Sequence, residues 1–295
     1  MSNAAVAGVV SVDGVITPIG EGRVSVMDHG FLFGDSIYEV IRTRGGQPVA
    51  LAQHLERLRT SALQTYLQLP WTDGEITARV RAAVVASKLP EVYVRLVVTR
   101  GTGPMSLLPE GCVQPGLIVY VMPLVLPSAA EVERGIGVAI PARLRNDLRA
   151  LAPSAKACNS LNNALALMES RRAAADDAVM LNGDGFVTEA TTANVFWVKG
   201  GEVRTPSLDC GILAGITRTL LIWAMRQDRI DVVEGKFPAS ELRSADEAFL
   251  TGTIRGVSPV VRVDGRPIAD GRPGPLTRRI VALNERVIET HTQDW

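Results

Sequence analysis

The sequence predicts an α+β protein of two domains, and three observations predict it. Its 295 residues, 46% of them hydrophobic, suffice for one large domain or two moderate ones. The first 125 or so residues group a hairpin, two helices and two strands into one α+β unit. A segment at 123–133 carrying Pro123 and Pro127 then ends an apolar run, which suits a connection between domains. The expected division is a small N-terminal α+β domain at 1–124, a linker at 125–135 and a larger C-terminal α/β domain at 136–295.

Each element has its own signal. Residues 9–12 and 15–16 flank Asp13-Gly14, a dipeptide suited to a tight hairpin turn. Leu51, Leu55, Leu58, Ala62, Tyr66 and Leu69 fall on one helical face, predicting a helix over 51–69, and a second is expected at 75–87. The β-branched runs 92–99 and 117–121 read as strands. Beyond the connection, 137–140 reads as a strand and 159–173 as a helix with Leu161, Leu165 and Met168 on one side. Strands at 178–181, 187–189, 194–198 and 203–205 are separated by Asn182-Gly183-Asp184-Gly185 and Gly200-Gly201 turns. A helix at 216–227 and a strand at 248–250 follow. A hairpin of 259–263 with 266–268 turns at Asp264-Gly265, and Pro275 opens a last helix ending near His291.

Composition narrows the partners. Lys plus Arg and Asp plus Glu number 31 each, so no net field draws the chain to nucleic acid or an anionic membrane. A small anionic substrate stays possible through local arginines. Residues 1–14 lack a basic stretch followed by an apolar run, so no signal peptide is expected, and no apolar run is long enough to span a bilayer. Cys112, Cys158 and Cys210 are odd in number and far apart, which fits a reducing cytoplasm. His29, His54 and His291 are too dispersed for a metal site. No GxSxG elbow or GxGxxG loop occurs.

Among the residues able to carry chemistry, the four lysines are informative. Lys88, Lys199 and Lys236 sit at helix ends and turns as solvated groups. Lys156 stands in Ala152-Pro153-Ser154-Ala155-Lys156-Ala157-Cys158-Asn159, among small neutral neighbours just before a helix. Such surroundings disfavour the ammonium form, which an imine-forming amine requires; a lysine stem lying along a helix start is the plainer alternative. Leu213-Ala214-Gly215-Ile216-Thr217-Arg218 opens a helix whose N–H groups could cup a phosphate. Thr251-Gly252-Thr253 is a second hydroxyl-bearing turn. Glu189, at a strand end, could accept from a ring nitrogen or simply be solvated. Arg57 flanks the apolar stripe of its helix, whereas Arg59 points nearly opposite. Tyr93 and Arg95 share one strand face, so Arg95 is a candidate carboxylate clamp or a paired edge arginine.

Taken together and in this order, these segments resemble the class IV aminotransferases, the branched-chain and D-amino-acid enzymes. The resemblance runs from Val26-Met27-Asp28-His29-Gly30 to Gly274-Pro275-Leu276-Thr277. It is carried by His54-Leu55-Glu56-Arg57-Leu58, Lys156 to Glu169, Gly185-Phe186-Val187-Thr188-Glu189 with Asn194-Val195-Phe196, Gly215-Ile216-Thr217-Arg218, and Ala245 to Thr253. It implies the two-domain D-amino-acid aminotransferase-like fold, fold type IV, with pyridoxal 5'-phosphate as cofactor and a homodimer as the assembly. By position, Lys156 would hold the cofactor as a Schiff base and shuttle a proton. Glu189 would meet the pyridine nitrogen. Arg57, Gly215, Ile216, Thr217 and Thr253 would hold the phosphate, and Leu213 would pack on the ring.

The substrates implied are an amino acid or amine and a 2-oxo acid. Tyr93-Val94-Arg95 resembles an element of the branched-chain L-amino-acid enzymes that helps bind the acidic co-substrate. Met105-Ser106-Leu107 stands where the D-amino-acid enzymes carry an Arg-x-His carboxylate trap, whereas Tyr38 and the Lys156-to-Asn159 spacing look more like that second group. Phe33 and Tyr38 are further candidates for the substrate side. After Thr253 the family has small or polar residues and then Glu; here Ile254-Arg255-Gly256 follows, so Ile254 could narrow the carboxylate pocket and Arg255 add a cation to it. A branched-chain L-amino acid and 2-oxoglutarate are the expected pair. D-amino-acid or (R)-amine transfer, and an aminodeoxychorismate lyase activity suggested by Ala193-Asn194-Val195-Phe196-Trp197, are the alternatives.

Overall fold

The structure, a computed structural model, describes residues 7–295; residues 1–6, part of the N-terminal stretch in which no signal peptide is expected, lie outside the described residues. The chain forms two compact units. One takes the chain up to Val125 together with Ala155–Asn159 and His291–Trp295, and the other takes Leu126–Ser154 and Ser160–Thr290.

In the first unit the strands are β1 (Val9–Val12), β2 (Val15–Pro18), β3 (Ser36–Arg44), β4 (Gln47–Pro48), β5 (Val92–Thr99) and β6 (Gly116–Pro123). The helices are α1 (His29–Leu32), α2 (Leu51–Gln64) and α3 (Asp73–Ser87). The strands make one antiparallel sheet in the order β2-β1-β6-β5-β3-β4. Its core joins Ile37, Ile41, Val94, Leu96, Val98 and Val119 from the strands to Leu51, Leu55, Leu58, Ile76 and Val80 from α2 and α3. Each such side chain contributes about 1.5–3 kcal/mol relative to leaving it exposed.

Three differences from the sequence reading have physical causes. The strand β3 escaped it because Glu39 and Arg42 interrupt its apolar pattern, yet both are buried. The helix expected to Leu69 stops at Gln64, where Thr65 turns back onto Ser61 and Ala62 and Tyr66 takes a left-handed φ of 52°. The lysine segment, expected within 136–295, is grouped with the first unit: Ala157 bridges Ile37, Tyr38 N–H donates to the Lys156 carbonyl at 2.9 Å, and Cys158 N–H to that of Ser36 at 2.8 Å. An unpaired stretch of the β3 edge recruits these five residues.

The second unit opens with α4 (Ala129–Arg134), a short helix inside the stretch read as linker. Its Ser128–Glu131 capping box is the signal that could have found it. The remaining strands are β7 (Ile136–Ala139), β8 (Asp177–Leu181), β9 (Val187–Ala190), β10 (Asn194–Lys199), β11 (Glu202–Pro206), β12 (Val232–Gly235), β13 (Glu247–Gly252), β14 (Gly256–Val263) and β15 (Arg266–Pro267). The helices are α5 (Leu161–Arg172), α6 (Ile216–Gln227), α7 (Ala239–Arg243) and α8 (Pro275–Thr290). The sheet runs β12-β11-β10-β13-β14-β7-β8-β9, and β9 also pairs with β10, so six strands close into a ring.

Closure explains why β10 is apolar on both faces. Val195 and Trp197 pack inward with Val138, Val179, Val187, Leu250 and Val260, while Phe196 and Val198 pack on Leu221, Met225, Ile280 and Leu283 of α6 and α8. The ring closes where Asn194 stands opposite Glu189.

Candidate active site

Within the first unit, β3 divides its side chains between two faces. Glu39 shares the helix-covered face with Ile37 and Ile41 and is 0% exposed, where a bare carboxylate would be costly. The helix α2 answers it. Arg57 donates to its two oxygens at 2.7 and 2.8 Å, and His54 Nδ1 meets Oε2 at 2.7 Å. His54 and Arg57 stand three residues apart, hence on one helical face. Burial alone would raise the Glu39 carboxyl; the Arg57 charge and hydrogen bonds, then those of His54, outweigh it and lower it from 4.5 to about 2. Burial pushes His54 below its usual 6.5, so the imidazole is neutral and its Nδ1 proton is the one donated to Glu39.

On the other face Tyr38 meets two cations. The Arg95 guanidinium lies 3.9 Å from the ring centroid and Lys156 Nζ lies 4.3 Å from it. Arg95 also reaches Cys158 Sγ at 3.7 Å and shares its face of β5 with Tyr93. Among the described residues Arg95 has no carboxylate partner. The Lys156 backbone is pinned at its N–H by Ser61 Oγ, 3.1 Å away, and at its carbonyl by Tyr38. Phe33, at the end of α1, is partly exposed and sets its ring edge-on to His29 at 5.0 Å.

Within the second unit, Glu189 is 6% exposed and engaged on both oxygens. Oε1 accepts from Arg145 at 3.1 and 3.0 Å; Oε2 accepts from Leu213 N–H at 3.0 Å and Asn194 Nδ2 at 3.3 Å. Asn194 Nδ2 also donates to the Leu213 carbonyl at 2.9 Å, tying the ring closure to the turn that opens α6. Gly215 caps that helix with no side-chain cap bond, and a Cβ there would come 2.0 Å from Asn194 Oδ1. The first N–H groups of α6, at Ile216 and Thr217, thus meet no capping side chain. Between β13 and β14, Thr253, Ile254 and Arg255 form a three-residue hairpin loop closed by Gly256 at φ 59°.

The structure therefore brings Lys156, Tyr38, Tyr93 and Arg95 together, and separately Glu189, Leu213 and Gly215. Arg57 stands with Glu39 and His54. Arg255, expected on the substrate side, is paired with buried Asp177 at 3.0 Å. Sequence reasoning missed Glu39, Arg145 and Asp177, and had Asn194 only as part of a motif, without a role. The His54–Arg57 spacing hinted at an inward acid, but nothing distinguished Arg145 from Arg143 or Arg149.

Residues 36–263, most of the chain, match the family Amino-transferase class IV. The chain belongs to the class IV aminotransferases. A Methanocaldococcus jannaschii protein assigned as a branched-chain-amino-acid aminotransferase is 36% identical over 88% of this chain and 89% of its own. A Bacillus licheniformis D-alanine aminotransferase is 32% identical over 92% and 94%. The solved T.th. branched-chain amino acid aminotransferase with pyridoxamine 5'-phosphate superposes with a TM-score of 0.89 at 28% identity, covering 97% of this chain and 94% of that one. The class IV aminotransferase has fold type IV, uses pyridoxal 5'-phosphate, and is a transferase. No helix of the described residues is long and apolar enough to cross a membrane.

Proposed function

We propose that this class IV aminotransferase moves an amino group between a branched-chain L-amino acid and 2-oxoglutarate, with Lys156 as the catalytic residue. The observation supporting the substrate reading is Arg95, a half-buried guanidinium set against the Tyr38 ring and the Cys158 sulfur and, among the described residues, without a carboxylate partner. A cation so placed suits the second carboxylate of an acidic co-substrate.

The residues fit the cofactor. An uncapped helix start at Gly215, into which only a glycine admits Asn194, suits a phosphate. A carboxylate held at a strand end suits a protonated ring nitrogen. When bound, pyridoxal 5'-phosphate supplies the electron sink that makes the substrate α-proton removable. Lys156 Nζ would be the amine that holds the cofactor and the base that takes the proton from the substrate α-carbon. Glu189 holds a proton at the ring nitrogen, with Arg145 and Asn194 fixing its orientation. Arg57, Gly215, Ile216, Thr217 and Thr253 would hold the phosphate, and Leu213 would pack on the ring. Phe33, Tyr38, Tyr93 and Ile254 shape the substrate side, with Arg95 receiving the far carboxylate.

We further assign a cytoplasmic homodimer. Phe31, Met105, Leu107 and Leu108 are exposed apolar side chains of the kind a second copy covers. The test of the reaction is a half-reaction that follows loss of the bound cofactor's long-wavelength absorbance on adding L-leucine, D-alanine or (R)-1-phenylethylamine separately. Bleaching with L-leucine alone is expected. Bleaching with D-alanine alone would favour the second reading, which the Bacillus licheniformis relative supports.

Arg95→Ala sharpens the assignment. Losing one or two charge-assisted hydrogen bonds raises KM for 2-oxoglutarate about 10- to 100-fold. The L-leucine half-reaction stays within a few-fold. Equal losses in both would remove Arg95 from the co-substrate role.

A further inference from the structure

We propose that Arg255 is a positioning residue: its ion pair with buried Asp177 holds the Thr253-Ile254-Arg255 loop where the phosphate and the substrate carboxylate are bound. What the loop binds rests on the function proposed above; how it is held rests on the structure.

Asp177 opens β8 and is 3% exposed. Its Oδ1 accepts from the Thr191 hydroxyl at 2.6 Å, Thr191 N–H at 3.4 Å and Ala178 N–H at 2.9 Å. Its Oδ2 faces Arg255 at 3.0 Å, and the same guanidinium nitrogen donates to Thr192 Oγ1 at 3.3 Å. One carboxylate thus links three segments: the start of β8, the turn joining β9 to β10, and the loop joining β13 to β14.

The loop has no second tether of this kind. Ile254 is apolar, and among the described residues Thr253 forms no side-chain hydrogen bond, so Arg255 is the loop residue whose side chain fixes it. Truncating Arg255 would also leave Asp177 buried without its counter-charge, a larger disturbance than losing a solvated arginine.

Charge decides between anchor and receptor. An arginine that receives an acidic substrate must bring uncompensated positive charge, as Arg95 does. The charge of Arg255 is already matched by Asp177, and its side chain is 27% exposed. What it delivers is geometry, to the Thr253 hydroxyl and the loop's backbone N–H groups. Gly256 lets the hairpin close beneath: its φ is 59°, and a Cβ there would come 2.9 Å from Asn284 Nδ2.

The test uses the full chain in five forms: wild type, Arg255→Ala, Arg255→Lys, Asp177→Asn and the Asp177→Asn/Arg255→Ala double variant. It measures the Kd for pyridoxal 5'-phosphate by equilibrium dialysis, KM for L-leucine and for 2-oxoglutarate, and Tm. Arg255→Ala is expected to weaken cofactor binding and raise both KM values together, each about 10- to 100-fold, the size seen when a group that orients a ligand contact is lost. Lysine, which keeps the charge, recovers most of the loss. The double variant is no worse than the poorer single one, because both remove one interaction.

A KM rise confined to 2-oxoglutarate would make Arg255 a receptor and overturn the proposal. So would a lowered Tm with Kd and both KM values unchanged, the mark of a purely structural pair. If wild type binds the cofactor but transaminates no donor, the functional reading fails by itself, and the Kd series still decides whether Arg255 anchors the loop.

Discussion

Lys156→Ala is expected to abolish amino-group transfer while leaving the fold intact. General acid–base catalysis alone is worth about 10²–10⁴-fold, and in the proposed role the side chain would also supply the covalent hold, so a loss of roughly 10⁴-fold or more in kcat is the expected scale. Borohydride reduction followed by intact-mass measurement reports the hold directly: wild type gains the cofactor's mass and the variant gains none. Stability should barely change. The backbone bonds to Ser61 and Tyr38 do not need the side chain, and the contact of Nζ with the Tyr38 ring is worth about 0.5–1 kcal/mol at a partly exposed site. Cofactor mass retained on the alanine variant, with activity near wild type, would move the role to another residue.

The second large effect is expected at Glu39, away from the reacting atoms. Glu39→Ala removes the carboxylate that Arg57 and His54 both engage, and breaking a buried pair this way costs about 3–5 kcal/mol. Cofactor affinity should fall with it, since Arg57 would lose the partner that fixes its fork. The pH dependence has a definite sign. The native carboxyl is lowered from 4.5 to about 2, so its contribution is fully present above 4.5 and is lost as pH falls toward 2. A shift of that size corresponds to roughly 3 kcal/mol. His54 acts in the same sense: its native value is depressed, so the unfolded chain binds the proton first and stability declines as pH drops through its ordinary 6.5. Urea midpoints measured from pH 7 to 3 should fall steeply in wild type and much less in Glu39→Gln. Parallel curves would mean that Glu39 is not the group responsible.

Legibility in the sequence followed a physical divide. Where a residue's role is set by its immediate neighbours, it could be read: the Asp13-Gly14 turn, the strand 92–99 that places Tyr93 with Arg95, and Gly215 at the start of α6 all appear as expected. Where a role depends on a residue far along the chain, it could not. Glu39 interrupts an apolar strand and looks like a surface residue until α2 covers it. Arg145 meets Glu189 across 44 positions, and nothing near Arg145 announces it. Asp177 and Arg255 are separated by most of the second unit's strands, so Arg255 read only as a cation for the carboxylate pocket, with no partner in sight. The family motifs supplied Glu189 and Thr217 without geometry; the bonds that orient Glu189 came from the ring closure at Asn194.

The way the chain is shared between its units has a consequence for recombination. The first unit is completed by Ala155–Asn159 and by His291–Trp295, where Ala50 N–H donates to the His291 carbonyl at 2.7 Å and the Trp295 indole to the Gly46 carbonyl at 2.9 Å. A single crossover with a relative, placed at the obvious break near residue 125, would graft one parent's lysine segment onto the other parent's β3 edge. Lys156 would then sit in a foreign setting although neither half had been mutated. Functional chimaeras should therefore inherit 36–38 and 155–159 from the same parent, and Lys156 travels with the sheet that precedes it rather than with the half of the gene that encodes it.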